Sequence, residues 1–288
     1  MPLDQIDVDN MGGESRSSGK EMSFFEHLEE LRWHIIRSLL AIVVAGIVLF
    51  IFQNWLFGEV LFGPTKGDFI SYRILCELSK QLGTGDAMCL PPPKFTIQAV
   101  GFAEPFVTSI KVSFLAGLVL AFPYVFYQIW SFISPGLHEN ERKASRGAVF
   151  ICSALFLFGV FFGYFVVAPF GVRWLGGYTL PGVENQPTLS SLINYMVMFT
   201  LPTGLMFELP VVVYVLARIG LVTAAGMRKF RRYAIVGTLI VAGVLTPPDP
   251  VTQFLVGIPM YLLYELSIFI AARVEKQLNA RELAESRS

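Results

Sequence analysis

The sequence predicts an all-α, polytopic integral membrane protein whose six transmembrane helices form one curved, glove-like bundle with both termini in the cytoplasm. Three observations lead there. Apolar residues make up 54% of the 288 and charged ones only 15%, well under the roughly one quarter usual in soluble domains. The apolar residues gather in continuous blocks whose length suits a hydrocarbon layer about 30 Å thick. Lys and Arg also divide unevenly between the connections, sixteen on one side of the alternation and five on the other. The richer side, which carries both termini, is therefore cytoplasmic.

Residues 1–22 are polar, centred on "GGESRSSGK". They lack an apolar h-region, so they read as a disordered cytoplasmic tail and not as a cleavable signal peptide. Spans are expected at 35–52, 105–130, 148–167, 192–216, 233–246 and 251–272. Residues 23–272 then form one membrane domain, and 273–288 a cytoplasmic C-terminal tail. The fifth span has fourteen residues, about 21 Å of helix, and the uninterrupted part of the sixth ends at Glu265. Both are short for a bilayer, which predicts local thinning or lateral association there. Spans 1–3 and 4–6 differ in length and loop size, which argues against an inverted-repeat transporter. The chain holds no Walker loop, no GxGxxG, no HExxH and no Cys/His metal spacing. No enzymatic activity, cofactor or metal is expected.

The entrance to the first span is unusual. In "FFEHLEELRWHII", residues 24–36, three glutamates stand directly before an apolar run. Ser23 and Glu26 fit a capping box. Phe24, Leu28, Leu31 and Ile35 share a narrow arc at helical spacing, and Glu26, Glu29 and Glu30 lie off it. Acid near a helix N-terminus is favourable, but Glu30 sits deeper, at a headgroup level where Lys and Arg are preferred. A second acidic pair, Glu139 and Glu141, lies on the same side in "SPGLHENER", residues 134–142. Two carboxylate sites on a face that should be basic suggest a cationic ligand. The alternative is pairing with Arg32, Arg142 or Lys143.

Taken together, "HLEELR" (27–32), "SPGLHENER" (134–142), "FELPV" (207–211), "LTPPDPVTQ" (245–253) and "PMYLLYE" (259–265) resemble the signature blocks of the TatC family. That family supplies the six-span receptor subunit of the twin-arginine protein translocase. The resemblance covers roughly residues 23–272, in the family's order and spacing; the long outer segment 54–104 departs from shorter members. It implies a bacterial inner-membrane protein that binds twin-arginine signal peptides at its cytoplasmic face. Glu30 and Glu141 match the family's signal-binding glutamates, with Arg32 and Arg142 beside them. It further implies TatA/TatB-type single-span partners, homo-oligomers in the membrane lipid, transport of folded proteins on the proton-motive force, and no nucleic acid. The chemistry is reasonable from below, because guanidinium forks onto carboxylate in two parallel bonds and lysine cannot.

Other polar residues fall within the spans. Glu208 is flanked by Pro202 and Pro210, and a mid-span carboxylate costs about 2.5–3.5 kcal/mol on insertion scales. It reads either as a polar patch facing an interior concavity or as a protonated or paired structural group. A rival function, an ion-coupled small-solute transporter, would use Glu208 as its proton site. Asp249 can cap the sixth span; the resemblance lends it and Gln253 functional weight. Glu265 can pair with Arg273 or another basic group, Lys111 can snorkel, and Cys152 reads as inert. Pro64, Pro123 and Pro259 are expected to bend or end segments. Cys76 and Cys89 lie in the outer segment, where oxidation is permitted; they are either bridged or two free thiols.

Overall fold

The computed structural model describes residues 24–81, 83, 89, 95–133, 145–178, 180–183, 185–246 and 249–285. Among them five helical stretches are long and apolar enough to cross a membrane: Leu28–Ile51, Glu104–Ile133, Val149–Gly177, Leu189–Arg218 and Pro250–Ala280. The sixth, Arg231–Leu245, has 15 residues, about 22 Å of helix. The fifth span is thus as short as its apolar block. The N-terminal tail, Ser23 of the expected Ser23–Glu26 cap and the 134–144 connection with Glu139, Glu141, Arg142 and Lys143 lie outside the described residues.

The helices outrun the apolar blocks because polar ends cost nothing where they reach headgroups or water. Span 1 is α1 (Phe24–Ile51), so the acidic stretch is its first helical turns. A helix outside the spans, α2 (Ile70–Gln81), follows. Span 2 is α3 (Glu104–Ile133), which runs on through Pro123. Span 3 is α4 (Ser145–Phe162) and α5 (Ala168–Gly177), joined by a π turn at Gly163–Val167. Span 4 is α6 (Leu189–Met206) and α7 (Leu209–Arg218). The short α8 (Ala224–Lys229) leads into span 5, α9 (Arg231–Leu245). Span 6, α10 (Pro250–Glu285), continues through Pro259. Pro123 and Pro259 therefore end nothing. Most of the segment expected as a C-terminal tail is also helical, to Glu285.

Lipid tails give helices no hydrophobic reason to associate, so close backbone packing does much of the work. At the crossing of α1 and α3, a Cβ on Gly117 would fall 2.6 Å from the Gly46 nitrogen. Where α4 crosses α6, a Cβ on Gly159 would fall 2.9 Å from the Gly204 Cα. Both crossings require glycine. The central core gathers Val167, Met196, Phe199, Met206, Ala242, Val256 and Met260 from spans 3 to 6. A second cluster near the cytoplasmic end joins Ala217, Ala224 and Met227 to Ile268, Ala271 and Val274 of α10.

The outer segment forms a cap. The buried Tyr72 hydroxyl donates to the Pro64 carbonyl at 2.7 Å; burial pushes this phenol up to about 12, against the opposing field of Arg173. Tyr164 of the π turn donates to the Val60 carbonyl. Glu104 accepts from the backbone of Val100 and Gly101 with one oxygen and from Ser190 at 2.8 Å with the other. It thereby ties the outer ends of spans 2 and 4. Leu189 donates to the Gln98 carbonyl at 2.8 Å, beside a lone bridge between Gln98 and Thr188.

Cys76 on α2 is joined to Cys89, with 4.2 Å between Cα atoms and 13 residues of separation. A loop of that size stabilises by about 3 kcal/mol in the chain-entropy account. In protein unfolded without reductant, alkylation is expected to label Cys152 alone, and all three cysteines after reduction. Immediate labelling of Cys76 and Cys89 before reduction would show that the cap is not cross-linked.

Candidate functional site

Glu30 is a quarter of the way along α1 from its start, and its side chain is 35% exposed. Arg32, two residues on, does not reach it. That guanidinium instead lies over the Trp33 ring, 5.8 Å from the centroid. The neighbour of Glu30 is His34, one turn along, whose Nε2 is 4.0 Å from the carboxylate. The other ring nitrogen, Nδ1, is 2.6 Å from Oε1 of Gln128 on α3. Gln128 is buried, so its amide needs a partner, and His34 supplies one. Phe132 closes on the imidazole edge-on at 6.1 Å. The ring thus stands between Gln128 of span 2, at hydrogen-bond distance, and Glu30 at 4.0 Å. No Lys or Arg pairs with Glu30 among the described residues. At 4.0 Å the His34 contact is longer than a hydrogen bond, so the acceptor capacity of the carboxylate is left for something else.

His34 and Gln128 escaped the sequence reading. The signals were present: Glu30 and His34 stand at i,i+4, and Gln128 is an isolated amide in an apolar span, which calls for a partner. Glu141 and Arg142 lie outside the described residues.

Glu208 sits where span 4 breaks. Pro210 has no N–H to give the Met206 carbonyl, and α6 ends at Met206 while α7 begins at Leu209. The Glu208 side chain is 8% exposed, and neither oxygen has a hydrogen-bond partner among the described residues. The buried Cys152 thiol and the backbone at Phe156 lie close by. An apolar hollow of about 640 Å³ does lie between spans 1 to 4, lined by Trp55, Val112, Ala116, Leu157, Val197 and Leu201 among others. Glu208 is not one of its lining residues. Glu208 is a buried carboxyl seven residues beyond Leu201, with Cys152 and Phe156 of span 3 beside it.

Asp249 is buried and accepts from the Thr252 backbone at 2.8 Å and from the Thr252 hydroxyl, so it caps α10, with Pro250 in the first helical position. Gln253 donates to the Leu239 carbonyl at 3.0 Å and straps span 6 to span 5. Lys111 donates to Asn194 across spans 2 and 4. Glu265 pairs with Arg231 at 2.7 Å and accepts from Tyr261 at 2.9 Å.

A six-span helical bundle with an outer cap, a break at a buried mid-span carboxyl and an acidic inner entrance defines a multi-pass inner-membrane protein of a transport class. The sequence profile of the family described as "Sec-independent protein translocase protein (TatC)" matches residues 26–259. The protein of that name from Blattabacterium sp. subsp. Periplaneta americana is 36% identical over 267 residues, covering 91% of this chain and 99% of its own. That from Desulforapulum autotrophicum is 36% identical over 266 residues, covering 91% and 90%. A crystal structure of a twin-arginine translocase receptor, TatC, superposes with a TM-score of 0.66 at 30% identity, over 87% of this chain and 100% of that one. The chain belongs to the TatC family and is a component of a Sec-independent protein translocase. A role in small-solute transport is set aside.

The unpartnered Glu208 carboxyl yields a test of whether it braces the fold. A buried polar group without a partner costs free energy, and an apolar group of similar shape removes that cost. Glu208→Met is therefore expected to leave the thermal midpoint of the purified protein unchanged or raised. A lowered midpoint would make the carboxyl a structural brace.

Proposed function

We propose that the cytoplasmic face of this protein receives the twin-arginine signal peptides of folded precursor proteins, with Glu30 and Glu141 as the carboxylates that read the two arginines. The observation that carries this is Glu30 itself, an oriented, partly exposed carboxylate that no Lys or Arg of the described chain neutralises. The related crystal structure is of a protein called a twin-arginine translocase receptor, which supports the same reading. A planar guanidinium can take both carboxylate oxygens at once, and in a partly desolvated setting such a forked pair outweighs a lysine point charge. Arg32, held over Trp33, and Arg142 would flank the bound peptide and keep the two carboxylates apart from stray cations. His34 acts by positioning, because it stands between Glu30 and span 2.

After recognition the protein would assemble with TatA/TatB-type single-span proteins and with further copies of itself. It would perform no covalent chemistry, and the proton-motive force would drive movement. The short span 5 and the buried Glu208 are the places where a partner helix with a polar residue gains most; span 6, expected to be short, is a helix of 36 residues. An unsatisfied carboxyl in hydrocarbon favours any donor brought to it.

Glu30→Gln is expected to weaken binding of a peptide carrying consecutive arginines by about 1–3 kcal/mol, the scale of a lost charged hydrogen bond. His34→Leu is expected to weaken it less, and insertion of both variants should match the parent. The measurement is a titration of labelled signal peptide against purified protein. Equal affinity of parent and Glu30→Gln for that peptide would remove Glu30 from the site.

A further inference from the structure

The connection between spans 4 and 5 carries "MRKFRRY", residues 227–233, on a platform that α10 holds in three places. The Ala224 backbone donates to Glu275 at 2.7 Å. The Tyr264 hydroxyl donates to the Met227 carbonyl at 2.8 Å. Arg231 pairs with Glu265 at 2.7 Å. Beneath these bonds Ala224 and Met227 pack on Ile268, Ala271 and Val274. Both acidic side chains that face this platform from α10 are thus already engaged.

Three cations are left over. Arg228, Lys229 and Arg232 are exposed and have no ion-pair partner among the described residues. Between and beside them stand Phe230 and Tyr233, 57% and 65% exposed, with ring centroids 5.9 Å apart. An aromatic pair at the end of a span belongs at the headgroup level. The platform also sits at the cytoplasmic end of the 15-residue α9, whose short length draws the headgroups toward it. Arg228 and Lys229 end α8 and Arg232 lies in the first turn of α9, on either side of the break at Phe230, so the three charges stand within five residues of one another at this corner.

We infer that Arg228, Lys229 and Arg232, with Phe230 and Tyr233 as the apolar floor, form a binding site for the headgroup of an anionic phospholipid of the cytoplasmic leaflet. The bound headgroup would fix the depth of span 5 where its helix is too short to fix it alone. Rigidity matters here. The three bonds to α10 pre-order the backbone, so binding pays little for ordering it.

The test is native mass spectrometry of the full chain, released from micelles containing equal amounts of phosphatidylglycerol and phosphatidylethanolamine with the same acyl chains. The parent is expected to retain phosphatidylglycerol preferentially. That preference should fall about fivefold for each cation removed, in R228Q and R232Q singly and further in R228Q/K229Q/R232Q. R228K/R232K, which preserves the charge, and the exposed α10 pair R273Q/K276Q should keep it. Equal retention of the two lipids by the parent would overturn the proposal, even if an acidic peptide bound the patch. So would an unchanged preference in the single variants, or an equal loss in R273Q/K276Q, which would reduce the effect to bulk charge.

Discussion

Hydrocarbon offers no hydrogen-bond partners, so a chain that crosses it must close its own backbone bonds and tie down each polar group it carries inward. Much of this structure follows from that constraint. Where α10 begins, Asp249 takes the Thr252 amide; where α9 passes it, Gln253 takes the Leu239 carbonyl. At the outer rim Glu104, at the start of span 2, collects two backbone amides from the segment before it and one from span 4. Gln128, deep in α3, is met by His34 from α1. Against that background Glu208 stands out, since its oxygens find no donor among the described residues.

Glu30 illustrates the same constraint at its boundary. Near the headgroups a carboxylate need not be neutralised, but it must be oriented to recognise anything. His34 does both tasks at modest cost, because it serves Gln128 with one nitrogen and faces Glu30 with the other. Arg32, the nearest cation in sequence, is drawn away by the Trp33 face, an attraction of about 0.5–1 kcal/mol at an exposed site. The acid at the doorstep of span 1 thereby stays available. The basic platform around Arg228 presents the opposite sign on the same side of the membrane. One face can then read cationic peptides at one place and hold anionic lipid at another.

Hydropathy and charge asymmetry made the six spans and their orientation legible, because these report transfer energies that depend on composition alone. The shortness of span 5 could be read the same way, as could the Asp249 cap, a local motif with all its parts within four residues. What could not be read depends on which residues meet across helices. The Glu30–His34–Gln128 chain has one local step and one of 94 residues. The partner of Glu265 is Arg231, 34 residues away, and not Arg273 on its own helix. The hydropathy of span 6 fades after residue 272, yet the helix continues to Glu285, because Val274 and Leu278 pack on the loop below span 4. The sequence left the surroundings of Glu208 open for a related reason. Proline placement locates a break in a helix but not the side to which the freed side chain turns.

The central claim is that the carboxylate at the inner end of span 1 meets the arginines of a signal peptide. Leu28 and Glu29, exposed neighbours of Glu30, are suitable positions for a photoreactive amino acid, because neither supports the carboxylate. A labelled signal peptide should crosslink at both through its consecutive-arginine segment, and the adducts should disappear when the two arginines are replaced by lysines. Adducts of equal yield with the lysine peptide, or none at either position in protein that still binds the arginine peptide, would contradict the account.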